Sequence, residues 1–468
     1  MIDFNKIQTY KENNRIEAKR ATGGFPGSLW ETYSAFANTY GGIILLGVEE
    51  LPDKSLKTVA LPEPERLIEI FWRYVEDRQK ISANILCSED VQIAEAGGNR
   101  IVAIEVPRAD RRDKPVFLGT DPYTGSYRRN GEGDYRCTRA EVDGMLRDRM
   151  NVSRDSEILS HMAMDSFDRE SISRFKNRVR TASGVPETDA EFLRSAGAAA
   201  AGRDRHLHPT TGGLLMLGRR ECIRSEFPKL FWEYSEKAGE DIPPYHYFGK
   251  NLFDFYDTVT KRLVEQKSAI HPRISFDKDM LCAVFEGLAN ALMHADYFES
   301  RGILIEITPE AIQITNPGGM RIAREKAFRG GISDPRNTIL IQLFHLLQVG
   351  NRNGSGLRKI RSIWQHSGLS EPILTERFGP DQTVLSLPFA ACKNISAGEE
   401  KKREEYERQK QLVMEYLTFY VSGTAEMLAK SLKISIAAAE KVLSSMENDG
   451  ILSKTIFENG NTVYRLAS

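Results

Sequence analysis

A chain of 468 residues exceeds what one hydrophobic core organises, so three or four domains are expected. Its 64 basic and 65 acidic side chains leave a net charge of -1, which excludes a global attraction to phosphate and confines any nucleic-acid surface to a local patch. The five cysteines (Cys87, Cys137, Cys222, Cys282 and Cys392) fit no zinc-ligand spacing, and no apolar run approaches the roughly 18 residues of a membrane span. A cytoplasmic protein with neither disulfide framework nor membrane partner is the expectation.

The fold class that the pattern predicts is multidomain, α/β and α+β. Within residues 1–149, Ile16 to Ala21, Ile43 to Val48 and Ile101 to Val106 read as strands. Leu29 to Tyr40 reads as a helix capped by Ser28 and stopped by Gly41 and Gly42, and Thr138 with Glu141 forms a capping box for a helix to Asp148. Residues 150–245 read as a mostly helical connecting domain, with a strand-like FPKLFWEYS and no chemical motif. Asn251 to Lys267 has apolar residues at helical spacing and opens a domain over 246–395. Residues 396–468 begin with the mixed-charge run EEKKREEYERQKQ, a solvated helix or linker. A helix capped by Thr424, a second from Ile436 to Asp449 capped by Ser435, and two strands around an Asn-Gly turn then follow, the order of a winged helix.

Chemistry concentrates in FEGLANALMHADY, where Glu286 and Asn290 lie one helical turn apart and share a face. A carboxylate there can orient a water aimed at a γ-phosphate, and an amide oxygen can ligate the Mg²⁺ that bridges phosphates. ILIEITPEAIQIT reads as a hairpin ending at Asn316-Pro317-Gly318-Gly319, whose glycines permit close backbone approach. NRNGSGLRKI sets Gly354, Ser355 and Gly356 before a helix whose N-terminal amides favour phosphate. Between Gly319 and Gly354 the polar, Gly-rich composition, with GGISDPRN, is that of a mobile lid.

This order resembles the GHKL ATPase superfamily, in particular the branch found in bacterial proteins with an N-terminal Schlafen-type AlbA domain, whose EALVNAxxHRDY is matched here by EGLANALMHADY. The resemblance implies a GHKL α/β sandwich that takes ATP and Mg²⁺ (or Mn²⁺). It implies Glu286 as water-orienting base, Asn290 as metal ligand, and Gly318, Gly319, Gly354 and Gly356 as nucleotide-loop glycines with Ser355 among them. Asn316 stands where the superfamily carries the Asp that reads the adenine amino group.

At the other end, ENNRIEAKRA and GGIILLGVEE resemble the Schlafen-type AlbA hallmarks ExxxxEFK and GGxLxIGVxD, and SYRRNGEGDYRCTRAEV resembles that family's closing strand and helix. The resemblance implies an α/β nucleic-acid-binding domain of DNA or RNA. In nuclease members three carboxylates gather a divalent metal, and the matching positions are Glu12, Glu17 and Glu50, with Lys19 placed for a phosphate. Arg111, Arg112, Arg128 and Arg129 offer either a basic lining for phosphate or an ordinary solvated loop, and Lys441 lies on the face with which a winged helix would meet DNA or pack against another domain. Three functions remain open. They are an ATP- and nucleic-acid-binding regulator of transcription or defence, a metal-dependent Schlafen-like endonuclease switched by ATP, and an ATP-stabilised oligomeric scaffold. A homo-oligomer is expected.

Overall fold

Strands that alternate apolar residues over both faces need cover on both sides, and the first 150 residues supply it. Ile16–Lys19 pairs in parallel with Gly42–Leu46, which pairs antiparallel with Asn99–Val106, and Val91–Ala96 closes the edge. Ile44 and Leu46 point to a core with the helices Leu29–Asn38 and Pro64–Val75, while Leu45, Ile16 and Ala18 point to a second core with Ile7. The helix after Ser28 lacks the expected side-chain cap, because Ser28 adopts helical angles and instead accepts the Thr32 amide at its carbonyl. Thr138 and Glu141 do form the reciprocal capping box that opens Arg139–Arg149.

The computed structural model describes residues 3–179, 184, 186–237, 245–266, 274, 276–299, 301–350, 354–391, 409–410, 412–414, 416–417, 422–432, 435–448, 451–456 and 462–466. They form two units, Met1–Ala390 and Ala391–Ser468, a mixed α/β architecture. Among the described residues no helix is long and apolar enough to cross a membrane.

A six-stranded sheet dominates the rest of the first unit, in the order Tyr245–Tyr247, Trp232–Glu236, Ile303–Ile307, Ala311–Pro317, Gln382–Pro388, Ile373–Arg377. The stretch 150–245 is therefore not simply helical. Its strand Trp232–Glu236 pairs in parallel with Ile303–Ile307, and one apolar core runs from Leu159 to Phe389. Asp277 caps the helix Lys278–His294 by accepting the Met280 amide at 2.8 Å. Gly287 lets that helix settle on the sheet, since a Cβ there would come within 3.0 Å of Leu385 and 3.1 Å of Ile314. The helix Gly356–His366 packs beside it.

The second unit holds the helices Ala425–Leu432 and Ile436–Asn448 and the antiparallel pair Leu452–Ile456 and Thr462–Leu466 around Val413, Leu428, Leu443 and Tyr464. Thr424 Oγ1 accepts the Met427 amide, as the sequence predicts. The Asn-Gly turn and most of the mixed-charge run lie outside the described residues.

Candidate functional site

The helix Lys278–His294, the end of the strand Ala311–Pro317 and the start of Gly356–His366 converge on a cavity of about 150 Å³. Glu286, Asn290, Asn316, Gly319, Gly354 and Gly356 all line it. Gly356 is held against the acidic helix so closely that a Cβ would overlap Glu286 Oε1 and lie 3.0 Å from Asn290 Nδ2. Burial raises the Glu286 carboxyl above the usual carboxylate range, although Lys359 opposes the shift. Two of the sequence candidates stand back from the cavity lining. Gly318 (φ +92°) makes the turn, donating its amide to Asp381 O at 2.9 Å, and Ser355 sets the helix start. Asn316 is buried, and its Nδ2 donates to Pro317 O at 3.1 Å.

Three further residues line the wall: His294, the histidine of the HADY motif, and Arg321 and Arg336, which carried no sequence signal as ligands. Burial holds the His294 imidazole down to about 4, with Arg336 and Arg321 adding to the effect. A folded value below the unfolded 6.5 means stability that is complete above about pH 6.5 and is lost as pH falls towards 4. Urea unfolding is thus expected to show a loss of about 2 kcal/mol between pH 7 and 5 from this group, and His294→Gln should remove that component. Equal losses in the two proteins would refute the assignment.

The basic residues expected to meet nucleic acid are mostly consumed inside the first unit. Arg128 is buried and forks onto Asp381, with Glu141 at 3.3 Å. Arg129 is buried between Glu17 at 2.6 Å and Asp134 at 3.0 Å, and Arg111 pairs with Asp334. These three guanidiniums are already paired with carboxylates brought from far along the chain, Asp381, Glu17 and Asp334. Arg112 is exposed but paired to Asp110 at 2.9 Å, whereas Lys441 is exposed on Ile436–Asn448.

The N-terminal carboxylates are neighbours without forming a metal cage. Burial, and then Glu17 and Glu50, raise the Glu12 carboxyl, partly offset by the Ala18 amide it accepts at 3.0 Å. Glu17 is neutralised by Lys19 and Arg129, so Lys19 is occupied too. Glu50 reaches Lys54 at 3.4 Å and leaves Oε1 buried without a partner among the described residues. No group of three or more ligating side chains able to hold a metal ion occurs among those residues, and the donor set as it stands does not fit a divalent ion.

Comparison with known proteins agrees with the two ends of this arrangement. Residues 12–138 match the family described as "Schlafen, AlbA_2", residues 143–233 a "Domain of unknown function (DUF8451)", and residues 300–384 the family described as "Putative ATP-dependent DNA helicase recG C-terminal". Glu286 and Asn290 precede the last of these segments. Among solved structures, the chain is similar to the DIP2311 protein from Corynebacterium diphtheriae, with 16% identity, 97% of this chain and 92% of that chain covered, and a TM-score of 0.42. It is also similar to the N-terminal domain of a RecG-related protein, titled a "Putative ATP-dependent DNA Helicase", from Nitrosomonas europaea. The identity is 29%, with 30% of this chain and 95% of that chain covered and a TM-score of 0.24. No curated protein matches the chain.

Proposed function

We propose that this chain is an ATP-binding, nucleic-acid-associated regulatory protein whose nucleotide cavity is the one lined by Glu286, Asn290, Gly319 and Gly356. The observation that carries the reading is convergence: a carboxylate and an amide one helical turn apart meet a small-residue loop and the first turn of an eleven-residue helix around one cavity. That donor set suits a triphosphate with its metal. Asn290 would hold the Mg²⁺, which neutralises charge on the phosphates when bound, and Glu286 would orient the attacking water. Asn316 faces the base end. In this reading the domain is a GHKL sandwich, and occupancy orders the lid between Gly319 and Gly354. That segment carries the short helix Arg324–Arg329 and the helix Thr338–Leu346, the latter packed into the core by Leu340, Leu343 and Phe344.

Association with nucleic acid is supported by the Schlafen AlbA_2 match and by the match to the family described as "Putative ATP-dependent DNA helicase recG C-terminal". The helix, helix and β-ribbon of the last unit is read as a winged helix, with the exposed Lys441 available to a backbone phosphate.

Calorimetry with ATP and Mg²⁺ tests the core of the proposal. Saturable binding between micromolar and millimolar is expected, weakened about tenfold in Asn290→Ala. Absence of saturable heat would remove the reading.

A further inference from the structure

Arg321 and Arg336 enter the cavity wall from either side of Arg324–Arg329, and both are nearly withdrawn from solvent. Guanidiniums so placed need an anion. Both find the same one, Asp148, from the last turn of Arg139–Arg149. Arg336 Nε donates to Asp148 Oδ1 at 2.9 Å and Nη2 to Oδ2 at 2.8 Å, while Arg321 Nε donates to Oδ1 at 3.0 Å. Burial alone would raise the Asp148 carboxyl, but Arg336 and then Arg321 overcome it and hold it near 2. Arg336 also donates to His294 O and, at 2.8 Å, to Gly319 O, which fixes it at the junction of the acidic helix and the glycine loop. Arg321 reaches Pro335 O at 2.8 Å and approaches Asp334 at 3.8 Å.

Two arginines share one carboxylate beside a cavity that also presents Glu286, Asp334, Asn290, Asn316 and glycines. A single carboxylate satisfies fewer of their donors than a polyphosphate would, because a phosphate chain offers more oxygens and more charge to the same planar forks. We propose that Arg321 and Arg336 are the phosphate-recognition residues of this cavity and that Asp148 is an internal stand-in for the phosphate, displaced when a nucleoside triphosphate binds. Resting on the nucleotide reading above, this names how occupancy is communicated. Displacement unpins the end of Arg139–Arg149, and that helix follows directly on the segment matched to Schlafen AlbA_2, which ends at Thr138. The loop from Arg108 to Arg111 feels the same event, since Arg111 donates to Asp148 O at 2.7 Å and pairs with Asp334.

Asp148 thus acts as a competitor, and removing its charge should strengthen triphosphate binding while leaving a monophosphate unaffected. The experiment is calorimetry of the full chain and of Asp148→Asn with ATP·Mg and with AMP. The expected result is about tenfold tighter ATP binding in the variant and unchanged AMP binding. Equal or weaker ATP binding by a folded Asp148→Asn overturns the competitor role while leaving the nucleotide site standing. No ATP binding by either protein overturns both. Should Asp148→Asn fail to fold, hydrogen exchange on the unaltered protein decides: saturating ATP·Mg, unlike AMP, is expected to lower protection of the amides at 145–150, and unchanged protection overturns the proposal.

Discussion

Gly356→Ala is expected to weaken ATP binding by at least about a hundredfold, about 2.7 kcal/mol, with little change in unfolding free energy. The residue has ordinary helical surroundings at the start of Gly356–His366, where alanine is intrinsically better than glycine by up to about 1 kcal/mol. What a methyl would meet is the catalytic side of the proposed site: Glu286 Oε1, and Asn290 Nδ2 at 3.0 Å. Those are ends of flexible side chains, so the fold can absorb the methyl by swinging the carboxylate and amide away. The cavity cannot, because both groups are then displaced from the phosphate path. Gly354→Ala gives the instructive contrast. There φ is +61° and a Cβ would strike the carbonyl of Ile332, so backbone must move and stability should fall with affinity. Calorimetry beside urea unfolding separates the two cases. Undiminished ATP affinity in Gly356→Ala would falsify the placement of the phosphates.

The elements that build this cavity were legible because each has a local cause. Helical spacing in FEGLANALMHADY marks the helix Lys278–His294, alternation writes the hairpin Ile303–Pro317, and paired glycines mark the loops. The arrangement of strands was less legible. Trp232–Glu236 has the alternation of a strand, but its partner Ile303–Ile307 lies roughly seventy residues on, and no periodicity names a partner in a parallel pair. The charged residues misled most. Arg128 and Arg129 read as surface cations because sequence reports charge and not its counterion, and the carboxylate that claims Arg128 is 253 positions away. Asp148 was hidden for the same reason. It sits at the end of an unremarkable helix, and only the fold brings Arg321 and Arg336 to it.

That hidden wiring has a measurable size. Arg128→Ala is expected to destabilise the protein by about 3–5 kcal/mol, because removing one partner from a buried pair strands the other. Arg128 grips both oxygens of Asp381, with Nη2 to Oδ2 at 2.8 Å, reaches Glu141 at 3.3 Å, and lies over the Phe378 ring at 4.7 Å. Alanine would leave Asp381 and Glu141 as like charges in a dry place. The disturbance should also reach the nucleotide cavity, since Asp381 O accepts the Gly318 amide and the next residues supply Thr383 and Leu385 to its wall. Arg66→Ala sets the scale for a solvated pair. Arg66 and Glu63 meet at 3.0 Å with side chains 71% and 62% exposed, and their loss should cost under about 1 kcal/mol. A double-mutant cycle with Asp381→Ala completes the case, because the second change removes the stranded charge and should recover part of the loss. The outcome also decides between the phosphate contact that the sequence offered for Arg128 and the buried brace that the structure suggests. A nucleic-acid contact would lower binding of DNA or RNA in Arg128→Ala and leave the urea midpoint where it was. A brace between the hairpin strand Tyr127–Asn130 and the turn at Asp381 moves the midpoint first, with any binding defect following the loss of fold.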